Sequence, residues 1–256
     1  MGFTFNGINF KTEYGLHVID RNGPFAPERK NTIEDLPYRD GGASFVGRFR
    51  PIRITLDCIL EGDRDSLDSM KHVLALPDTE KELILDSEPD RYRLAKWLPT
   101  GGNLQYAGVG GFMLTLEFAC SEAFAYGLTE KEFSGTITTN PDSFAVHSGV
   151  GTAHSWPIWK ITAGTGGAPS YVELENETTG ETIRRGAPLA DGHIWRVDSY
   201  RKIAHVSTDG GTTWLVAMTN LSKFQFPRLA PRIGNTIKTD GLENGTIEVE
   251  WRERYV

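Results

Sequence analysis

The chain has 256 residues, 39% of them hydrophobic and 11% aromatic, a formal net charge of -7 at pH 7 and two cysteines. This composition supports a buried core and excludes a disordered chain, and the acidic balance excludes the basic face of a sequence-reading nucleic-acid binder. No stretch has the length of a membrane span, and two cysteines make neither a secreted disulfide scaffold nor a structural zinc site.

The length fits one large β domain or two of ordinary size. Phe3, Phe5, Ile8 and Phe10 predict an opening strand or hairpin turned at Asn6-Gly7, a pair suited to positive φ. The same N-terminus lacks the basic start and apolar run of a signal peptide, so synthesis as a soluble cytosolic chain is expected. Leu16-His17-Val18-Ile19 predicts another short strand. From Arg21 to Ser44 the chain is polar, charged and punctuated by Pro24, Pro27 and Pro37. Too long for a simple core connection, it reads as a mobile loop or as an arm that packs on another molecule.

The best strand pattern is Arg50–Glu61, with Ile52, Ile54, Leu56, Cys58 and Leu60 on one face. Asp65–Leu76 predicts a helix: Leu67, Met70 and Leu74 recur at helical steps, Asp63 and Asp65 suit its N-terminus, and Pro77 stops it. Leu83–Leu85 and Tyr92–Trp97 predict strands around the turn Ser87-Glu88-Pro89-Asp90. Gly108-Val109-Gly110-Gly111 lacks the lysine of a phosphate loop and precedes a strand, so it reads as a hairpin or bulge loop. Phe112, Leu114, Leu116, Phe118 and Cys120 alternate with polar or small residues, and that strand is expected to end at Ser121-Glu122-Ala123. Phe124, Tyr126 and Gly127 then serve as an aromatic anchor and a flexible exit. Cys58 and Cys120 fall on the apolar phases of their strands, which predicts two buried thiols, with a disulfide between neighbouring strands as the alternative.

From Glu132 onward, short strand patterns recur between turns such as Asp191-Gly192 and Asp209-Gly210-Gly211, as in a sandwich or jelly roll. They cover Trp156–Ile161, Tyr171–Glu175, Thr182–Arg184, Ile194–Asp198, Lys202–Ser207, Thr213–Val216, Phe224–Phe226, Thr236–Lys238 and Thr246–Trp251. The expected organisation is mainly β, two β-sandwich domains spanning residues 1–130 and 131–256. No pair among His17, His72, His147, His154, His193 and His205 has the i, i+4 spacing of a helical metal site, and no serine sits in a nucleophile elbow. No catalytic, cofactor or metal site is therefore expected. Trp195 and Trp214 lie in strand patterns and read as core, whereas Trp156 and Trp159, flanking Pro157, are candidate sugar-contact residues.

Three groups of residues then read together. The first is Tyr38-Arg39-Asp40-Gly41-Gly42 ahead of the strand Arg53–Leu60. The second is Leu83–Asp86 with Glu88-Pro89-Asp90-Arg91-Tyr92, followed by Leu116–Cys120 running to Phe124-Ala125-Tyr126-Gly127. The third is Phe226-Pro227-Arg228-Leu229-Ala230-Pro231 with Gly234-Asn235-Thr236-Ile237 and Arg254-Tyr255. In this order the set resembles the distal tail protein (Dit) family of long, non-contractile-tailed phages. The chain departs from the family at one turn: where Leu-x-Pro-Gly-x-Asn is common, it has Pro231-Arg232-Ile233-Gly234-Asn235.

The resemblance implies an N-terminal ring-forming sandwich with one helix and an extended hairpin or arm. It implies a galectin-like or carbohydrate-module-like jelly roll after it. It further implies a homo-hexameric hub that joins the tail tube to the tail-tip hub or tail-associated lysin, sits beside receptor-binding proteins, and leaves a channel for DNA. Such a protein works at the virion tail tip without catalysis or cofactor. The arm then supplies ring contacts, with Pro24, Phe25, Pro27, Pro37 and Tyr38 as candidates. The rival readings are a cell-wall carbohydrate or receptor-binding module and a glycosidase on a β scaffold. The long insertion expected of a Dit protein with an added sugar-binding module is absent.

Overall fold

A computed structural model describes residues 1–24, 27–30, 32–35, 42–45, 49–99, 104–106, 111–166 and 169–256. The chain divides into two compact units, Met1–Tyr126 together with Val256, and Gly127–Tyr255.

The first unit opens with β1 (Phe3–Phe5) and β2 (Ile8–Asn9), joined through Asn6 (φ 51°) and Gly7 (φ 79°) with Phe5 opposite Ile8. Two consecutive left-handed residues give the turn twist that a two-residue hairpin needs, so Asn6-Gly7 turns the chain as its sequence predicts. Phe10 does not extend the hairpin; it begins α1 (Phe10–Tyr14), a one-turn helix. The Asn9 side chain accepts from the Lys11 and Thr12 amides, which explains the helix where hydrophobic spacing alone suggested a strand.

There follow β3 (Leu16–Asn22), β4 (Thr32–Asp35), β5 (Gly42–Phe45) and β6 (Ile52–Glu61). α2 (Arg64–Ala75) is capped by Asp63, whose carboxylate accepts from the Ser66 amide at 2.9 Å and its hydroxyl at 2.8 Å. Leu67, Met70 and Leu74 are its buried residues, and Pro77 lies just past its end. β7 (Lys81–Leu85), β8 (Arg91–Leu98), β9 (Gln105–Tyr106) and β10 (Gly111–Cys120) complete the unit. β6 and β10 pair antiparallel over ten residues, Gly111 opposite Glu61 through Cys120 opposite Ile52. β8 pairs with β10 through its C-terminal half and with β7 through its N-terminal half, so the sheet turns onto β7 and β1. The turn lays Phe3 and Phe5 against Phe118, with ring centroids 5.7 and 5.2 Å apart, and Phe3 stacks on Phe10 at 4.7 Å. All four rings are fully buried.

β11 (Ala125–Ile137) leads into the second unit as a 13-residue strand, so the flexible exit expected at Gly127 is not formed. β12 (Asp142–His147), β13 (Ile158–Ala163), β14 (Val172–Asn176), β15 (Glu181–Arg185) and β16 (Ile194–Asp198) follow. Then come β17 (Ile203–Ser207), β18 (Leu215–Val216), β19 (Leu221–Phe224), β20 (Gly234–Asp240) and β21 (Gly245–Tyr255). One sheet runs β18-β17-β16-β13-β21, with β11 beyond β21, and the other runs β12-β20-β14-β15-β19. Their inward-facing residues, among them Trp159, Trp195, Leu174, Ile183, Ile237 and Val249, form one buried cluster, which makes the unit a β-sandwich. The protein is thus mainly β, as the alternating patterns predict.

Candidate functional site

The arm is built on β3. Beyond Asn22 the chain leaves the sheet and returns antiparallel, with Arg29 bridged to Phe49 and the Arg50 amide donating to the Glu28 carbonyl at 2.8 Å. Glu28 and Arg50 also form an ion pair at 3.0 Å, and the Arg29 guanidinium lies 4.6 Å over the Phe49 ring. Phe49 meets Phe124 edge-on at 5.1 Å, so the aromatic after β10 anchors the base of the arm. Further out, β4 and β5 pair from Thr32 opposite Phe45 to Asp35 opposite Gly42, a two-stranded sheet of its own.

The segment is therefore a β ribbon among the described residues, and its base extends to Arg50. Of the candidate contact residues, Pro24 and Pro27 sit on the outgoing side of that base, exposed and half-buried respectively. Phe25, Pro37 and Tyr38 lie outside the described residues. A two-stranded ribbon on its own is marginally stable in water, because both outer edges present backbone donors and acceptors and neither face is covered.

The cysteines supply no chemistry. Cys58 lies opposite Leu114 and Cys120 opposite Ile52, on adjacent strands but six positions apart along the ladder. At the rise of a strand that is roughly 20 Å, far beyond the reach of a disulfide, and both thiols are free and buried. Burial pushes Cys58 up to about 12, with Asp57 adding to the rise, and Cys120 up to about 11. Neither offers a thiolate nucleophile at neutral pH.

In the second unit the sugar-contact pair separates. Trp159 is fully buried, its indole N–H donating to Ser199 Oγ at 3.1 Å and the Pro227 carbonyl at 3.3 Å. Its β-strand phase points it into the core, so it presents no face to a ligand. Trp156 is half-buried under the Arg228 guanidinium, 5.2 Å from its ring. Glu181 fixes that arginine by accepting from Arg228 Nε at 2.6 Å and from its backbone amide at 2.9 Å. Beside them His154 is pushed below its ordinary value by burial and by Arg228. Trp195 is core, as expected, but Trp214 is only half-buried, with Arg196 over its ring at 5.8 Å.

Sequence reasoning missed the polar pin that shapes this unit. Asn235 donates to the carbonyls of Ala230 (3.1 Å) and Ile233 (3.2 Å), and accepts from the Ala230 amide (2.8 Å) and from Asn176 Nδ2 (3.0 Å). Asn176 in turn donates to the Arg228 carbonyl and accepts from the Thr178 amide. The departing turn is closed around this side chain, and Arg232 holds it with φ 60°. That left-handed position is one that favours glycine.

No protein-family model matches the chain, and no curated protein matches it. Among solved structures, the crystal structure of phage SPP1 Dit (gp 19.1), a hub protein of the adsorption apparatus of phages infecting Gram-positive hosts, is similar over the whole chain. The TM-score is 0.74 at 17% identity, covering 100% of this chain and 99% of that one. Two structures of the phage P2 baseplate in its activated conformation, with Ca and with Sr, follow at TM-score 0.42 and 9% identity. They cover 94% and 97% of this chain and 91% and 96% of theirs. The class is a two-unit β scaffold. Its fold, along the full length, is that of the phage distal tail (Dit) hub proteins.

Proposed function

We propose that this chain is a structural hub component of a long, non-contractile phage tail, acting at the virion tail tip after synthesis in the host cytoplasm. Six copies close into a ring through heterologous contacts, which generate rings when the rotation closes. The ring joins the tail tube to the tail-tip hub or tail-associated lysin and leaves a channel for DNA, and no catalytic step is involved. The observation that carries this reading is the likeness to the SPP1 hub protein across both units, at TM-score 0.74. The β4–β5 ribbon is compatible with it: as a two-stranded sheet of its own it has strand edges that pairing with a neighbouring copy would complete.

Negative-stain electron microscopy and light scattering on the purified protein, alone and mixed with the tail-tube protein, test the proposal. Six-fold rings with a central hole are expected in at least the mixture; monomers in both samples overturn it. Replacing residues 30–48 with Asn-Gly, which keeps the Arg29–Phe49 base, is expected to leave the melting temperature unchanged and to abolish the ring. A ring that survives the replacement removes the ribbon from the contact.

A further inference from the structure

Strand pairing sorts the turns of the second unit into two ends. At one end Ile158 lies opposite Asp198, Asp198 opposite Ile203, Asn176 opposite Glu181 and His147 opposite Gly234. That end gathers the connections 148–157, 177–180, 199–202 and 225–233. The Ser155–Leu229 bridge and the Ser199 hydroxyl, donating to the Pro227 carbonyl at 2.8 Å, tie the two sheets together there. At the other end Ala163 lies opposite Gly245, Ile194 opposite Ser207 and Val172 opposite Arg185. This end gathers 138–141, 164–171, 186–193, 208–214 and 241–244, tied by the Gly241 amide donating to Asn140 Oδ1 at 2.8 Å.

The ends are opposite in charge. The connections of the first carry Arg201, Lys202, Arg228 and Arg232, with Glu177 as their one acid. Its flanking carboxylates are turned to local work. Asp198 is buried and accepts from the Arg201 amide, Glu181 holds Arg228, and buried Glu253 accepts from the Val150 amide and the Tyr255 hydroxyl. The connections of the second carry Asp191, Asp209 and Glu243, all exposed, and neither lysine nor arginine. A basic end thus stands on a chain whose net charge is -7.

Gathering like charges costs stability through self-repulsion, and the two ends cannot relieve each other. β13 alone runs six residues between them, roughly 17 Å at the rise of a strand, about twice the screening length at physiological salt. Only a second copy brings the opposite charges together. The basic end also exposes apolar surface among its cations: Val150, Tyr200 and Ile233 are 68%, 53% and 46% exposed. The acidic end offers a concave seat, a cleft of about 320 Å³ walled by Asn140, Tyr171, Leu242, Glu243 and Asn244. We propose that the second units of two copies meet head to tail, the basic end around Arg201 and Arg232 on the acidic end around Asp191 and Glu243. Because the two surfaces differ, the contact is heterologous and passes from copy to copy. The inference rests on this charge segregation and stands apart from the hub reading and from the ribbon.

The test is carbodiimide cross-linking of the full-length protein, which joins a lysine amine to a carboxylate in contact with it, followed by peptide mass spectrometry. Lys202 is the reporter: the length of the unit separates it from Asp191, Asp209 and Glu243, so an amide to any of them joins two copies. Lys160 and Glu250, 2.5 Å apart within one copy, give the internal control. Expected is a Lys202 link to one of the three acids at about 0.1 M salt, lost at about 1 M, where screening acts within roughly 3 Å. Arg201→Glu with Arg232→Glu is expected to abolish the link, and so is Asp191→Arg with Glu243→Arg. Mixing the two double variants is expected to restore association, read by sedimentation velocity. The proposal is overturned if the control pair links and Lys202 reaches none of the three acids, if the link survives both reversals, or if the mixture sediments no faster than its parts. Lys202 linking only to an added tail protein overturns it in favour of an acidic partner. Rings that form without the link overturn it and leave the hub reading standing.

Discussion

The two units solve the same problem, holding β-sheets face to face, with different materials. The first packs an aromatic cluster, Phe3, Phe5, Phe10 and Phe118, beneath a long regular ladder and a helix. Among the described residues, every buried polar or charged side chain lies in the second unit, including Asn176, Ser199 and Asn235. The first core is non-directional and tolerates any apolar shape of about the right volume. The second is directional: its hydrogen bonds fix which loop meets which strand, and an unmade one carries the full cost of desolvation.

The sharpest way to break the comparison is to hollow out one core and unpin the other. Phe118→Ala is expected to cost about 3–5 kcal/mol, as for other large-to-small changes at buried aromatics, measured by denaturant unfolding. A loss below 1 kcal/mol would show that the aromatic cluster does not carry the first unit. Asn235→Ala strips partners from the Ala230 amide and from Asn176, and is expected to cost about 1–3 kcal/mol. Asn235→Leu is expected to be no better than Ala; a Leu variant as stable as the parent would mean the pin acts by volume rather than direction.

Arg232→Gly tests the same turn with the opposite sign. Arg232 is exposed at φ 60°, so glycine relieves a left-handed strain of about 1 kcal/mol, and the variant is expected to melt higher. The smallest effect belongs to the first unit. The Ser66 amide and hydroxyl hold Asp63 below the ordinary carboxylate value. A depressed folded value means that its contribution is present above the unfolded value and lost as pH falls through the folded one. The melting-temperature advantage of the parent over Asp63→Ser is therefore expected to shrink below about pH 4, and a constant difference would rule out the charge.

The contrast also explains what the sequence revealed. β6 and α2 are legible because one apolar phase, Ile52 to Leu60 or Leu67, Met70 and Leu74, is buried against a core while its opposite faces water. β11 was hidden because its middle, Leu128 to Lys131, is exposed throughout and carries no period-two signal. Trp159 and Trp214 were interchanged in effect, since a strand pattern states that a tryptophan alternates but not that the sheet above it closes. Asn235 left no periodic trace at all, for one hydrogen-bonding side chain has no repeat. The fold class was readable from hydrophobic alternation. The ribbon appeared only as a polar interval punctuated by proline, and the basic and acidic ends of the second unit existed nowhere until strand register gathered their turns.

The seclusion of Cys58 and Cys120 bears on how the protein can be handled. With no cystine to form or lose, folding waits on no oxidant, and the structure is indifferent to whether its surroundings are reducing or oxidising. It also leaves a silent background for spectroscopy: a cysteine introduced on the arm at the exposed Lys30, for example, would be the reactive thiol of an otherwise natural chain. A maleimide dye placed there would report by fluorescence whether the ribbon is free or gripped by a neighbour, with both native cysteines left in place.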